Sequence, residues 1–288
     1  TALDWSTSLS TTRGMTATFI ASSSGDQYTN AVAYDSEGYW GGMNFSIDST
    51  TDNFSITANN GLIDPDLNVT LTPAHISSGP TVNTDSYAST NSLTSTNYTY
   101  SFFDSSIQKQ SFVTIAIPSN YPNQVWVYWD NTNQSPDTYI YNQGVTGVYT
   151  PFTSIPSSGT ATYTGGIEGA YTVSSSDYVT ALAGSATFNV NWGTNKVSGS
   201  FHNLTGVTNG VSSGFNTLNM GETNIISSYG SYASFSGLLS GTGFTSYYYN
   251  NHIYGTFMGS NYESIGGVWG ITNNDASGDG AGYFAAKK

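Results

Sequence analysis

The sequence predicts an all-β protein in two parts, a β-rich N-terminal half and an antiparallel barrel in the second half. Three observations predict it. Apolar and polar residues alternate at period two in run after run. Good helix formers are diluted throughout by Gly, Ser, Thr and Asn. Glycines recur inside the alternating runs of the second half, at Gly199, Gly255, Gly266 and Gly267, where strands that coil tightly or approach closely need them.

The N-terminal half holds two nearly continuous apolar runs. Phe112–Ile117 stops at Pro118, and Val125–Trp129 stops at Asp130. Runs without alternation are expected for strands covered on both faces. The stretch Tyr149–Gly159 contains Pro151 and Pro156 among small polar residues, which marks a break. It divides the chain into 1–152 and 153–288.

In the second part, Ala186, Phe188, Val190 and Trp192 fall on one strand face, and Thr187, Asn189 and Asn191 on the other. Trp192–Lys196 then reads as a hairpin turn into Val197–Phe201. Ile253, Gly255 and Phe257 alternate with Tyr254, Thr256 and Met258, and Asn273–Gly280 separates the run Ile265–Ile271 from Tyr283–Phe284. A closed barrel over about 155–288 should hold Phe188, Val190, Trp192, Phe201, Phe257 and Trp269 inside.

Composition narrows the function classes. The 288 residues carry a formal net charge of -13, with only 5 Lys+Arg. Arg13, Lys109, Lys196, Lys287 and Lys288 are scattered, so there is no basic cluster for phosphates. No run approaches the ~20 apolar residues of a membrane helix. An outer-membrane barrel needs an outward apolar band, and the faces opposite Phe188 and Val190 are Thr and Asn. Cys is 0, which removes disulfides, thiolate metal sites and a lipid-modified N-terminal Cys. The opening Thr1–Trp5 reads as a processed N-terminus. Low charge with abundant Ser, Thr and Asn points to an extracellular or surface protein.

Four segments of the second part carry a family resemblance. Ile155–Gly165 reads as a first barrel strand. Ser185–Ser200 follows the hairpin pattern F-x-V-x-F, turn, V-x-G. Gly255–Trp269 resembles G-x-F-x-G-x-x-A-x-E-x-G-G-x-F, with Tyr262 in the Ala position, Ser264 (beside Glu263) in the Glu position and Trp269 in the last Phe position. Ala281–Lys288 follows a closing G-x-F-x-A-K-K. Together they make residues 153–288 resemble the transferrin-binding-protein-B-like barrel family. The resemblance implies an eight-stranded, filled antiparallel barrel that serves export and support. It also implies an N-terminal handle domain carrying the ligand surface. It implies a place among Gram-negative surface or secreted proteins that capture host proteins such as transferrin and complement factor H, or heme in hemophores of the hemophilin type. The absence of Cys points within that group to a secreted chain.

Candidate ligand-binding residues follow. His75 is the one imidazole in the N-terminal half and is a candidate axial ligand of heme iron; an exposed loop histidine is the plainer alternative. Trp126, Tyr128 and Trp129 are candidate aromatic walls for a porphyrin. His202 and His252 read as outward barrel residues. Of the Tyr247–Tyr249 triplet, at least one ring should point outward. Gly210–Gly214 matches G-x-S-x-G, but no helix signal follows it, as a hydrolase nucleophile would require. Asp275–Gly280 imitates a Ca²⁺ loop without the bidentate Glu or flanking helices, and Asp64-Pro65-Asp66 reads as a turn. The expectation is a binding protein and not an enzyme, taking heme or a host heme/iron protein, with no nucleic acid and no membrane span. The alternative is a self-assembling surface or matrix subunit joined by strand contacts.

Overall fold

The computed structural model describes residues 9–22, 30–34, 41–48, 53–60, 69–71, 76–86, 93–104, 109–130, 138–172, 179–208, 211–214, 217–228, 231–241, 251–271 and 279–288. All the long elements are strands. The first ten are β1 (Leu9–Ser22), β2 (Asn30–Tyr34), β3 (Gly41–Asp48), β4 (Asn53–Asn60), β5 (Val69–Leu71), β6 (Ile76–Ser86), β7 (Thr94–Asp104), β8 (Lys109–Pro118), β9 (Gln124–Asp130) and β10 (Thr138–Gly147). The second ten are β11 (Thr160–Thr172), β12 (Val179–Asn191), β13 (Lys196–Thr208), β14 (Val211–Gly214), β15 (Leu218–Asn224), β16 (Ile226–Ser228), β17 (Tyr232–Ser240), β18 (His252–Met258), β19 (Ser264–Ile271) and β20 (Asp279–Lys287).

The second ten close into a barrel. The order β12-β11-β20-β19-β18-β17-β15-β13 is completed by a β12–β13 ladder, giving eight wall strands, with β14 and β16 attached outside that path. Every ladder is antiparallel. All six residues expected inside are buried there: Phe188, Val190, Trp192, Phe201, Phe257 and Trp269. Outside, Thr162, Asn189 and Asn191 are exposed. The strand glycines have a specific use. In three ladders a Phe sits directly opposite a Gly: Phe188 opposite Gly199, Phe235 opposite Gly255, and Phe284 opposite Gly267. In each pair the ring lies where the glycine's side chain would be, at 2.3–2.5 Å from an ideal Cβ. A narrow barrel fits large rings only where the facing residue has no side chain.

The first ten strands form an open sheet ordered β5-β4-β3-β1-β10-β9-β8-β7-β6, with β2 beside the C-terminal half of β1. Its two edges, β5 and β6, are consecutive in the chain. The five steps from Leu71 to Ile76 span at most about 18 Å, so the sheet must curl until its edges are near each other. The inner face holds Met43, Phe45, Ile56, Tyr98, Tyr100, Val113, Ile115, Val125, Val127 and Trp129.

The outer face of this sheet packs on the barrel wall. Met15, Ala17, Ala116, Tyr121, Trp126 and Val145 meet Met258, Val268, Ala281, Tyr283 and Ala285. The run Val125–Trp129 is therefore covered on both sides, and the run Phe112–Ile117 is buried or half-buried from Val113 onward, with Phe112 left exposed. The segment 148–159 is tied to the barrel by main-chain bonds. Gly259 N–H donates to Val148 O at 2.7 Å, Thr150 N–H to Phe257 O at 2.9 Å, and Ala233 N–H to Thr150 O at 3.0 Å.

Candidate functional site

Strand parity decides where the predicted aromatic residues go. Along β9, Val125, Val127 and Trp129 enter the inner cluster, while Trp126 and Tyr128 face the barrel. Trp126 is 1% exposed. Its indole N–H donates to Gln124 Oε1 at 3.1 Å, and its ring lies 4.8 Å from that of Tyr283. Tyr128 stands edge-on to the same Tyr283 ring at 5.5 Å. Trp129 is buried on the opposite side of the sheet. The three do not line one wall, because residues an odd number apart on a strand point to opposite faces. His75, Tyr247–Tyr249, Asp64–Asp66 and Asp275–Gly278 lie outside the described residues.

The junction under Trp126 and Tyr128 is polar at its centre. Gln124 Nε2 donates to Ser264 Oγ at 3.1 Å and Ile265 O at 3.2 Å, and Tyr121 Oη–H donates to Ala285 O at 3.3 Å. Tyr283 donates to the Glu168 carboxylate. Burial, with Tyr128 and Glu168 beside it, pushes the Tyr283 phenol well above its ordinary range. The Gln124 and Tyr121 bonds hold the two sheets together.

The ladder registers gather a different set at one end of the N-terminal sheet. Ile76, which follows His75, pairs with Phe102, and Phe102 with Ser111. The next row runs Ser101–Phe112–Asp130–Tyr141–Phe19–Ala31. The start of β6, the end of β7, the start of β8, the ends of β9 and β1, and the starts of β10 and β2 thus share one rim. Phe112 is 48% exposed there. The candidates legible in the sequence include Trp129, next to this rim, but not Phe112, whose signal is its place at the start of an apolar run.

The remaining candidates are plain. Ser212 lies within β14 paired to Val207, inside a strand and not on a strand-to-helix elbow. His202 faces outward, its Nε2 sharing a 3.0 Å hydrogen bond with Thr187 Oγ1. Among the described residues no three His, Asp or Glu side chains are placed to hold a metal ion, and no helix is long and apolar enough to cross a membrane.

No family model matches the chain, and no curated protein does. Solved structures do. A transferrin-binding protein B from Haemophilus parasuis is similar at 13% identity and TM-score 0.43, over 96% of this chain and 75% of that one. One from Actinobacillus pleuropneumoniae is similar at 14% identity and TM-score 0.42, over 95% and 98%. A haemoglobin receptor from Kingella denitrificans is similar at 14% identity and TM-score 0.38, over 94% and 86%.

Proposed function

We propose that this chain is a secreted or surface-exposed binding protein of a Gram-negative bacterium. In this reading the rim of the N-terminal sheet captures heme or a host heme/iron protein. The observation that carries it is the register that brings the strand following His75 to the rim where Phe112 stands exposed and Trp129–Asp130 ends β9. An exposed aromatic on a rigid strand is the kind of anchor that dominates protein recognition. The barrel is closed and filled, so its strands offer neither a long free edge nor an interior. The sequence resemblance of residues 153–288 assigns them the supporting role.

For heme, the N-terminal half of the sequence offers one imidazole. His75 supplies the imidazole for iron. Trp126 and Tyr128 pack in the junction with the barrel, and this reading places the porphyrin away from them. The walls would come from the rim itself, with Phe112 the exposed ring among them.

The test is a titration of the full chain with hemin, read at the Soret band, beside binding of haemoglobin and transferrin to immobilised protein. Saturable binding of one of them, weakened in His75→Ala or Phe112→Ala and retained in Trp126→Ala, supports the reading. No saturable binding of any of the three removes it. The self-assembling alternative rests on β6, whose outer edge has no ladder partner among the described residues. Pro80 and two register shifts interrupt that edge, features that block edge-to-edge pairing. Elution of ligand-free protein as long polymers would nevertheless establish that alternative.

A further inference from the structure

Among the described residues, the barrel wall has a short opening. β15 meets β17 only at Asn219–Ser240 and Met220–Leu239, and the ladder resumes where β16 pairs with β17 at Ile226–Ser234. Residues 221–225 on one side and 235–238 on the other are unpaired across this seam. The Thr223 side chain spans it: Thr223 Oγ1–H donates to Ser236 O at 2.8 Å. A whole added strand would need about 9–10 Å between its neighbours, so the seam is too narrow for one. It forms instead a cavity of about 420 Å³ lined by Glu222, Thr223, Ser236, Gly237, Leu238 and His252. Inside the wall, the Met220 side chain fills the space that a side chain at Gly237 would need.

The lining has a definite chemistry. Glu222 brings a carboxylate that is 67% exposed, and its nearest cation, Lys196 Nζ, stands at 4.0 Å, the outer limit of an ion pair. Most of that carboxylate's hydrogen-bonding capacity is unused by Lys196. His252 lies across the cavity, opposite Leu238 in the ladder, with its ring stacked on Tyr254 at 5.7 Å. Its Nδ1 is buried without a hydrogen-bond partner, and a half-turn of the ring about Cβ–Cγ would bring that nitrogen to the other edge. Burial lowers the His252 pKa, so the ring is neutral at physiological pH and does not repel a cation. Leu238, 48% exposed, supplies an apolar lip. The whole chain carries a net charge of -13, which favours the approach of positive ligands.

We propose that this seam binds a compact organic cation, an ammonium or guanidinium group on a short aliphatic stem. The charged head meets the Glu222 carboxylate, a head-group N–H donates to the His252 ring nitrogen, and the stem lies on Leu238. The same head occurs on a free polyamine-type molecule and on a Lys or Arg side chain of a partner protein.

The experiment is calorimetric titration of the full chain with agmatine and, separately, with N-acetyl-arginine N-methylamide, with the His252 ring resonances followed by NMR. One saturable site that shifts those resonances is expected. Glu222→Gln should weaken it about tenfold, as loss of one charge-assisted contact does. Lys196→Ala should strengthen it by removing the competing cation. Unchanged thermal melting of both variants shows that the fold is intact, since both positions lie on the outer wall. Agmatine binding with rejection of the bulkier arginine derivative identifies a free amine as the source; binding of the derivative identifies a protein side chain. The proposal fails if neither compound saturates by about 10 mM, an affinity too weak for recognition. It also fails if Glu222→Gln binds as the wild type does, or if the His252 resonances do not move.

Discussion

Tyr283 and Glu168 face each other across the β11–β20 ladder, and the phenol donates to the carboxylate beneath the N-terminal sheet. Glu168 is fixed from both sides of the wall, because its main-chain carbonyl accepts the indole N–H of Trp269 from within the barrel at 3.1 Å. A buried carboxyl that loses its donor keeps its desolvation cost. Tyr283→Phe should therefore lower stability by about 2–3 kcal/mol, read as the urea midpoint at constant m-value. An unchanged midpoint would show that the bond contributes nothing.

The same tyrosine sets an alkaline limit. Its pKa is raised in the folded state by burial first, and Tyr163 is raised as well, again by burial first. Below the unfolded value of about 10 both states hold these protons, and the folded state's preference costs nothing. Above it the unfolded chain releases them first, so unfolding is favoured increasingly as pH climbs. Urea midpoints measured from about pH 8 to about pH 11 should be flat and then fall beyond about pH 10. The fall should be shallower in Tyr163→Phe.

The Phe–Gly pairs predict intolerance to the smallest possible addition. At Gly199 a Cβ would stand 2.4 Å from Phe188 Cδ1 and 2.6 Å from Cε1. Phe188 cannot swing away, since its ring is hemmed by Phe201, Phe235 and Phe284 at 5.0–6.0 Å. Gly199→Ala should cost about 1–3 kcal/mol through overpacking, and Phe188→Ala about 3–5 kcal/mol through a cavity. In the double variant the alanine methyl occupies part of that cavity, so the summed losses should exceed the measured one. Strict additivity would mean that the two positions do not share space.

These residues also show what a sequence can disclose. The barrel interior was legible because a closed sheet imposes period two on each strand, and Ala186 to Trp192 obey it without exception. The runs Phe112–Ile117 and Val125–Trp129 disclosed strands covered on both faces for most of their length, but neither which face meets what nor that Phe112 stands exposed. Parity alone separates Trp126 from Trp129, whose rings lie on opposite faces of β9. The outward barrel residues Met258, Val268 and Tyr283 gave no local sign of being covered, because their partners are more than a hundred residues away. The seam at Glu222 and His252 is a break in ladder register, and register is a property of two strands at once.

The junction predicts how the two sheets unfold. They share one apolar cluster and are pinned by Gln124 to Ser264 and Ile265, and by Thr150 Oγ1 to Gly259 O at 2.6 Å. Coupling of that kind makes the sheets melt together, so calorimetry of the wild type should show one transition. Trp126 touches both sides: its ring packs on Tyr283 and Tyr121, and its indole N–H holds Gln124 in the orientation that reaches Ser264. Trp126→Ala removes the ring contacts and releases the amide, a loss of about 3–5 kcal/mol that falls on the junction and not on either core. The endotherm should split, with the N-terminal sheet melting first because its edges are open while the barrel is closed. A single transition merely shifted to lower temperature would place the loss inside one sheet and show that the junction does not carry the coupling.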